Sequence, residues 1–144
     1  MALFLGWLTV LTLGMIAALH VVWGLGYTWP DKDSKSLARR VAGFKNIQTM
    51  PSLAACFAVA VFLIFAGLII LWTLGHFDPL LPIVVRKLIL VGMAAGFCIR
   101  GIFSFLPFWR RMTPEQPFAR LDRRYYGPLC LCLSLMLIGI AILI

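Results

Sequence analysis

Residues 1–30, MALFLGWLTVLTLGMIAALHVVWGLGYTWP, hold no Asp, Glu, Lys or Arg, and this stretch decides the fold class. A helix crosses the hydrocarbon core of a bilayer with about 20 consecutive apolar residues, and the stretch exceeds that length. A second charge-free run extends from Pro51 to Phe77, a third from Leu88 to Trp109 is interrupted only by Arg100, and a fourth closes the chain from Tyr125 to Ile144. The runs are continuously apolar rather than alternating, so they read as helices and not as strands of a membrane barrel. The expectation is an all-α protein. It is a four-helix transmembrane bundle in one integral-membrane domain over 1–144, with spans at about 3–27, 51–74, 84–108 and 126–144. The first run lacks a basic leader and outlasts a signal-peptide apolar core, so it is read as a permanent helix.

Composition agrees with these runs. The chain has 144 residues, 62% hydrophobic and 12% charged, with a mean hydropathy of +1.00. Soluble domains carry roughly 25% charged residues, so a water-soluble enzyme is excluded. Four spans leave only short loops and no room for a separate catalytic domain.

Orientation follows the basic residues, because short loops rich in Lys and Arg stay in the cytoplasm. Lys32, Lys35, Arg39, Arg40 and Lys45 lie in the first loop, and Arg110, Arg111, Arg120, Arg123 and Arg124 in the third. Only Arg86 and Lys87 fall on the opposite side. Both basic loops are therefore expected inside and both termini outside, with Trp7 and Trp72 near the outer boundary and Tyr27, Trp29, Trp109, Tyr125 and Tyr126 near the inner one. The net charge of +8 is then a local feature of the cytoplasmic face, read as attraction to anionic headgroups rather than to nucleic acid.

Each basic loop also carries a helical pattern. In the first, Leu37, Val41 and Phe44 share one face with basic residues around it, as in a short interfacial helix on a bilayer. In the third, Thr113-Pro114-Glu115-Gln116 reads as an N-cap, with Pro first and Gln third in a short helix whose apolar side is Phe118, Leu121 and Tyr125.

Chemistry-bearing residues are few. The four cysteines, Cys56, Cys98, Cys130 and Cys132, all fall inside spans. Cys130 and Cys132 stand about 200° apart around a helix, so they read as small core residues and not as a disulfide or metal pair. Gly92, Gly96, Arg100 and Ser104 recur every fourth residue, a stripe that permits close helix approach. Arg100 lies roughly 12 Å inside a helix end, where an arginine is costly unless it pairs, snorkels or lines a wet cavity.

Candidate partners can be found for it. His20, Trp23, Gly24 and Tyr27 share one helical face, and His20 reaches a depth similar to that of Arg100. The acids are Asp31, Asp33, Asp78, Glu115 and Asp122. Asp122, just before the last span on the cytoplasmic side, is the best placed to neutralise Arg100. A structural clamp between Arg100 and Asp122 and a ligand site built on them are equally open at this point.

The segments His20-Val21-Val22-Trp23-Gly24-Leu25-Gly26 with Pro30, then Arg100-Gly101, then Pro117-Phe118-Ala119 through Asp122, Tyr126, Pro128, Leu129 and Cys130 resemble a family of small bacterial membrane proteins, domain of unknown function 3995. The resemblance implies four helices in the bacterial inner membrane, with no established activity. Its recurring polar residues would be His20, Arg100, Asp122 and Tyr126.

Three functions compete on this reading. The first is binding or transport of a small anionic or amphipathic ligand in a cytoplasmic-side pocket of His20, Trp23, Arg100, Asp122 and Tyr126. The second is an accessory or assembly subunit, in a homo-oligomer or a larger membrane complex, docking through the glycine stripe. The third and weakest is an enzyme using His20 as acid or base and Arg100 as anion holder. No HExxH, nucleophile elbow or phosphate loop is present, so no catalytic residue, metal or cofactor is expected.

Overall fold

The computed structural model of the chain describes residues 1–78 and 80–144, and those residues contain helices and no strand. Helix α1 runs Ala2–Gly24, α2 Ser34–Val41, α3 Leu53–Thr73 and α4 Ile83–Phe103. They are followed by α5 Pro107–Met112, α6 Phe118–Leu121, a π turn Asp122–Tyr126 and α7 Gly127–Leu143.

Among the described residues three segments are long and apolar enough to cross a membrane: α1, α3, and the continuous stretch Phe118–Leu143 that ends in α7. Phe4, Phe62, Phe65, Leu135 and Ile142 are each more than 60% exposed. An outer surface so apolar suits a lipid solvent, as in a membrane protein. Helix α4 has the 21-residue length of α3 but carries Arg86, Lys87 and Arg100.

Packing pairs α1 with α3 and α4 with α7, and joins the two pairs through α1 and α7. Small residues make these seams, as expected where hydrophobic burial cannot drive helices together. A Cβ on Gly101 would lie 2.7 Å from Leu131, and one on Gly24 2.8 Å from Phe57. Ser134 Oγ donates to the Ala94 carbonyl at 2.8 Å, a hydrogen bond between α7 and α4. Leu13, Leu90 and Leu137, all fully buried, fill the centre.

Helix ends explain where the chain departs from the expected spans. Gly26, at φ +94, closes α1 after Gly24, short of the expected Tyr27. Pro107 starts a new helix, so α4 ends at Phe103 and residues out to 108 are not its continuation. Thr113 is not an N-cap. It ends α5, with its hydroxyl donating to the Trp109 carbonyl at 2.9 Å, and helix resumes only at Phe118, after Pro117.

At the end away from the basic loops, Arg86 of α4 donates to the carbonyl of Thr73, the last residue of α3, at 3.3 Å. A cation there complements the negative end of the α3 dipole and satisfies a carbonyl with no partner in its own helix.

Candidate functional site

Asp122 is the most buried charge in the structure, its side chain only 3% exposed. Both carboxylate oxygens are occupied. Arg100 Nη2 donates to Oδ1 at 2.6 Å and Trp109 Nε1 donates to Oδ2 at 2.9 Å. Arg100 Nη1 donates to Ser104 Oγ at 2.8 Å, one helical turn along α4, and the guanidinium lies over the Trp109 ring at 5.2 Å. Four residues from α4, α5 and the π turn thus form one lock. A buried carboxylate with two charge-assisted or indole donors is the arrangement burial demands.

The π turn sets which side chains reach inward. Gly127 N–H donates to the Asp122 carbonyl, an i to i+5 bond that adds a residue to the turn. In an unbroken α-helix Tyr125 would share the Phe118 and Leu121 face. With the extra residue Tyr125 swings out, 54% exposed, and Tyr126 turns inward, its ring 5.9 Å from that of Phe118. Tyr126 O–H then donates to the Arg40 carbonyl at 3.3 Å.

That bond belongs to a seam joining the two basic loops. Arg40 grips Asp31 with two donors, the Nη2 contact at 3.0 Å. This bond raises the Arg40 pKa above its ordinary value. Arg39 pairs with Glu115 at 2.9 Å. The other Glu115 oxygen accepts from Asn46 N–H at 3.1 Å, and Glu115 N–H donates to the Gly43 carbonyl at 3.2 Å. Leu37, one of the three residues of the face expected on lipid, is fully buried in the protein beside Ala38, while Val41 is half-buried and Phe44 stays 45% exposed near Trp109. Asp33 caps α2 through Ser36 N–H at 2.8 Å, a bond that holds its carboxyl below the ordinary range. The cap is therefore in force above the usual aspartate pKa and is lost as pH falls through the lowered value.

Of the five residues expected at the site, Arg100 and Asp122 are in direct contact, and Tyr126 stands one π turn from Asp122. His20 is elsewhere. Its Nδ1–H donates to the Ile16 carbonyl of its own helix at 2.8 Å. Its ring lies 5.2 Å from that of Trp23, whose Nε1 donates to the Trp29 carbonyl at 2.8 Å. Among the described residues neither bonds to Arg100 or Asp122. Trp109 and Ser104 complete the lock; Ser104 carries a sequence signal, the four-residue spacing from Arg100, while Trp109 reads only as an interfacial anchor. Because His20 is satisfied within α1, His20→Ala and Asp122→Asn should be additive in unfolding free energy, within about 0.5 kcal/mol. Coupling well above that in a double-mutant cycle would place His20 in the lock after all.

Comparison with known proteins adds one relationship. No curated protein and no solved structure matches the chain. Residues 13–137, which include every residue of the lock, match a family model described as protein of unknown function, DUF3995, and the chain belongs to that family.

Proposed function

We propose that the chain is a four-crossing membrane protein, with both basic loops in the cytoplasm and both termini outside, that binds a small anionic or amphipathic ligand beside Arg100. The crossing by α4 is supported by its charge pattern: Arg86 and Lys87 sit at one end and Arg100 near the other, with an uncharged stretch between. Basic side chains near helix ends extend their charge to the interface. The contacts from Arg39 and Asn46 to Glu115 support a common side for the two basic loops. Cysteine accessibility tests the arrangement. An impermeant thiol reagent should miss a cysteine at Ser36 or Gln116 in intact cells and label it after lysis; labelling from outside would overturn the topology.

The observation that supports ligand binding is the state of Arg100. Its guanidinium is pinned by Asp122, Ser104 and Trp109, yet the side chain keeps 35% exposure. Arginine has five N–H donors, and Asp122 and Ser104 use two of them, so a guanidinium held in place offers the remainder already ordered, which lowers the entropic cost of binding. Tyr126 supplies an aromatic neighbour, and His20 and Trp23 are proposed as the side of the site contributed by α1. Native mass spectrometry of protein released from a mild detergent should show a retained anionic molecule on the wild type. A spectrum of bare protein under conditions that preserve other membrane complexes would remove the reading.

The second reading, an accessory subunit, draws support from two glycines. Gly92 and Gly96 of α4 are exposed, and a Cβ at either meets nothing within 4 Å. Among the described residues nothing packs on either glycine, which leaves this part of the stripe free for another helix. Gly92→Leu and Gly96→Leu should leave the melting temperature unchanged but abolish any oligomer seen by light scattering in detergent. A monomeric wild type, or oligomers indifferent to both changes, would count against it.

A further inference from the structure

Arg110, Arg120, Arg123 and Arg124, with Gln116 and Pro117, line an open hollow of about 710 Å³. It contains none of the residues of the Arg100 site. No acid lines it, and the acids of this face are engaged elsewhere: Asp31 with Arg40, Glu115 with Arg39, Asp122 with Arg100, and Asp33 with Ser36. Among the described residues none of the four arginines makes an ion pair; Arg124 stacks over Tyr125 at 5.5 Å. Four like charges around one opening repel, and the opening concentrates a positive potential.

The walls are fixed by the contacts around them. Asp122, between Arg120 and Arg123, is anchored by Arg100 and Trp109. Arg120 N–H and Leu121 N–H both donate to the Pro117 carbonyl, at 3.2 and 3.0 Å, and Ala119 N–H donates to the Glu115 carbonyl at 3.0 Å. The arginines are therefore held on a constrained loop and not on a floppy tail. Planar guanidinium forks match phosphate oxygens two at a time, which an ammonium does not. A phosphomonoester carries about −1.5 to −2 charge and three acceptor oxygens, so it suits a cluster of several arginines better than a singly charged phosphodiester. Arg123 and Arg124 lie in the π turn that leads into α7, with Tyr125 exposed beside them and Phe108 of α5 64% exposed. That is the composition of a surface at headgroup level.

We infer that this hollow is a phosphate-recognition site that takes a phosphomonoester or diphosphate group, carried by a lipid headgroup or by a free phosphorylated molecule. It is separate from the ligand site at Arg100, and the two can fail independently because Arg100 does not line the hollow.

The test uses the full chain in phosphatidylcholine nanodiscs, with two probes. One is inorganic pyrophosphate added to the solution; the other is phosphatidic acid in the disc, compared with phosphatidylglycerol at matched total charge. Stoichiometry is read by native mass spectrometry and affinity by titration. Binding of one phosphate-bearing molecule per chain is expected, with phosphatidic acid preferred over phosphatidylglycerol. Arg120→Gln combined with Arg123→Gln should weaken it by about tenfold or more, the size expected for losing charge-assisted bonds. Arg111→Gln, in the same loop but outside the hollow, should leave it within about twofold, since a surface charge acts weakly through salt. All these side chains are exposed, and equal melting temperatures would confirm that the variants fold. Pyrophosphate binding without phosphatidic acid binding identifies a free molecule as the source; the reverse identifies a headgroup. Binding that follows total charge alone, equal for both lipids and equally sensitive to Arg111→Gln, overturns the site, as does failure of both probes.

Discussion

Arg100→Met should lower the unfolding free energy by about 3 to 5 kcal/mol, the range seen when one partner of a buried ion pair is removed. The reason lies with the residue left behind. Asp122 is 3% exposed, and without Arg100 its carboxylate keeps only the Trp109 indole as a donor. Methionine fills the volume of the arginine stem, so the loss isolates the charge and not a cavity. Asp122→Asn should cost less, about 1 to 3 kcal/mol, because the asparagine oxygen still accepts from Trp109. The guanidinium it strands is 35% exposed and keeps Ser104. The pair of single variants is therefore asymmetric. The double variant leaves neither charge unpaired and should be less destabilised than the sum. Unfolding in detergent micelles, followed by tryptophan fluorescence, provides the cycle. Additivity within about 0.5 kcal/mol would mean the contact carries no energy.

The lock was legible in the sequence because membrane chemistry leaves few solutions for a charge. Arg100 needed an anion, and only Asp122 sat at the right end of the chain near a span. The charge-free runs announced their helices for the same reason, since lipid admits few backbone alternatives. What escaped was geometry that apolar spacing does not encode. His20 spends its Nδ1–H on the Ile16 carbonyl four residues earlier in its own helix, so a match of depth to Arg100 does not by itself make a bond between them. The inserted residue of the π turn exchanged Tyr125 for Tyr126 at the interior, and no composition signal precedes it. Leu37, Val41 and Phe44 looked like a membrane-facing stripe, but an amphipathic face does not say whether lipid or protein covers it. Leu37 is buried in the protein and Phe44 keeps 45% exposure, while Phe118 of the third loop, 2% exposed, lies against Gly43 just beyond α2. The contacts of Arg39 and Asn46 with Glu115 span three whole helices of sequence, α3 to α5, and leave no local trace.

Phe118 also defines the second large effect, at Gly43. This residue ends α2 with its N–H donating to the Ala38 carbonyl at 3.0 Å, in a left-handed conformation at φ +64. Its own carbonyl receives the Glu115 N–H, so a backbone hydrogen bond joins the end of α2 to the third loop. A Cβ here would stand 2.2 Å from Cδ1 and 2.3 Å from Cγ of Phe118, an overlap that neither group can absorb in place. Gly43→Ala should therefore combine a left-handed backbone cost of roughly 1 to 2 kcal/mol with overpacking of about 1 to 3 kcal/mol. The two components are separable. Gly26 is also left-handed, at φ +94, but a Cβ there meets nothing within 4 Å, so Gly26→Ala should show the backbone cost alone. Phe118→Leu in the Gly43→Ala background should relieve part of the overlap and restore some stability, although Phe118→Leu alone destabilises. Backbone amide exchange offers a local readout: Gly43→Ala should raise exchange across α2 and the third loop together, because Gly43 joins them, while α1 and α3 keep their protection. If Gly43→Ala melts no earlier than Gly26→Ala, with exchange unchanged in both loops, the contact between Gly43 and Phe118 does not hold the seam between the two basic loops closed.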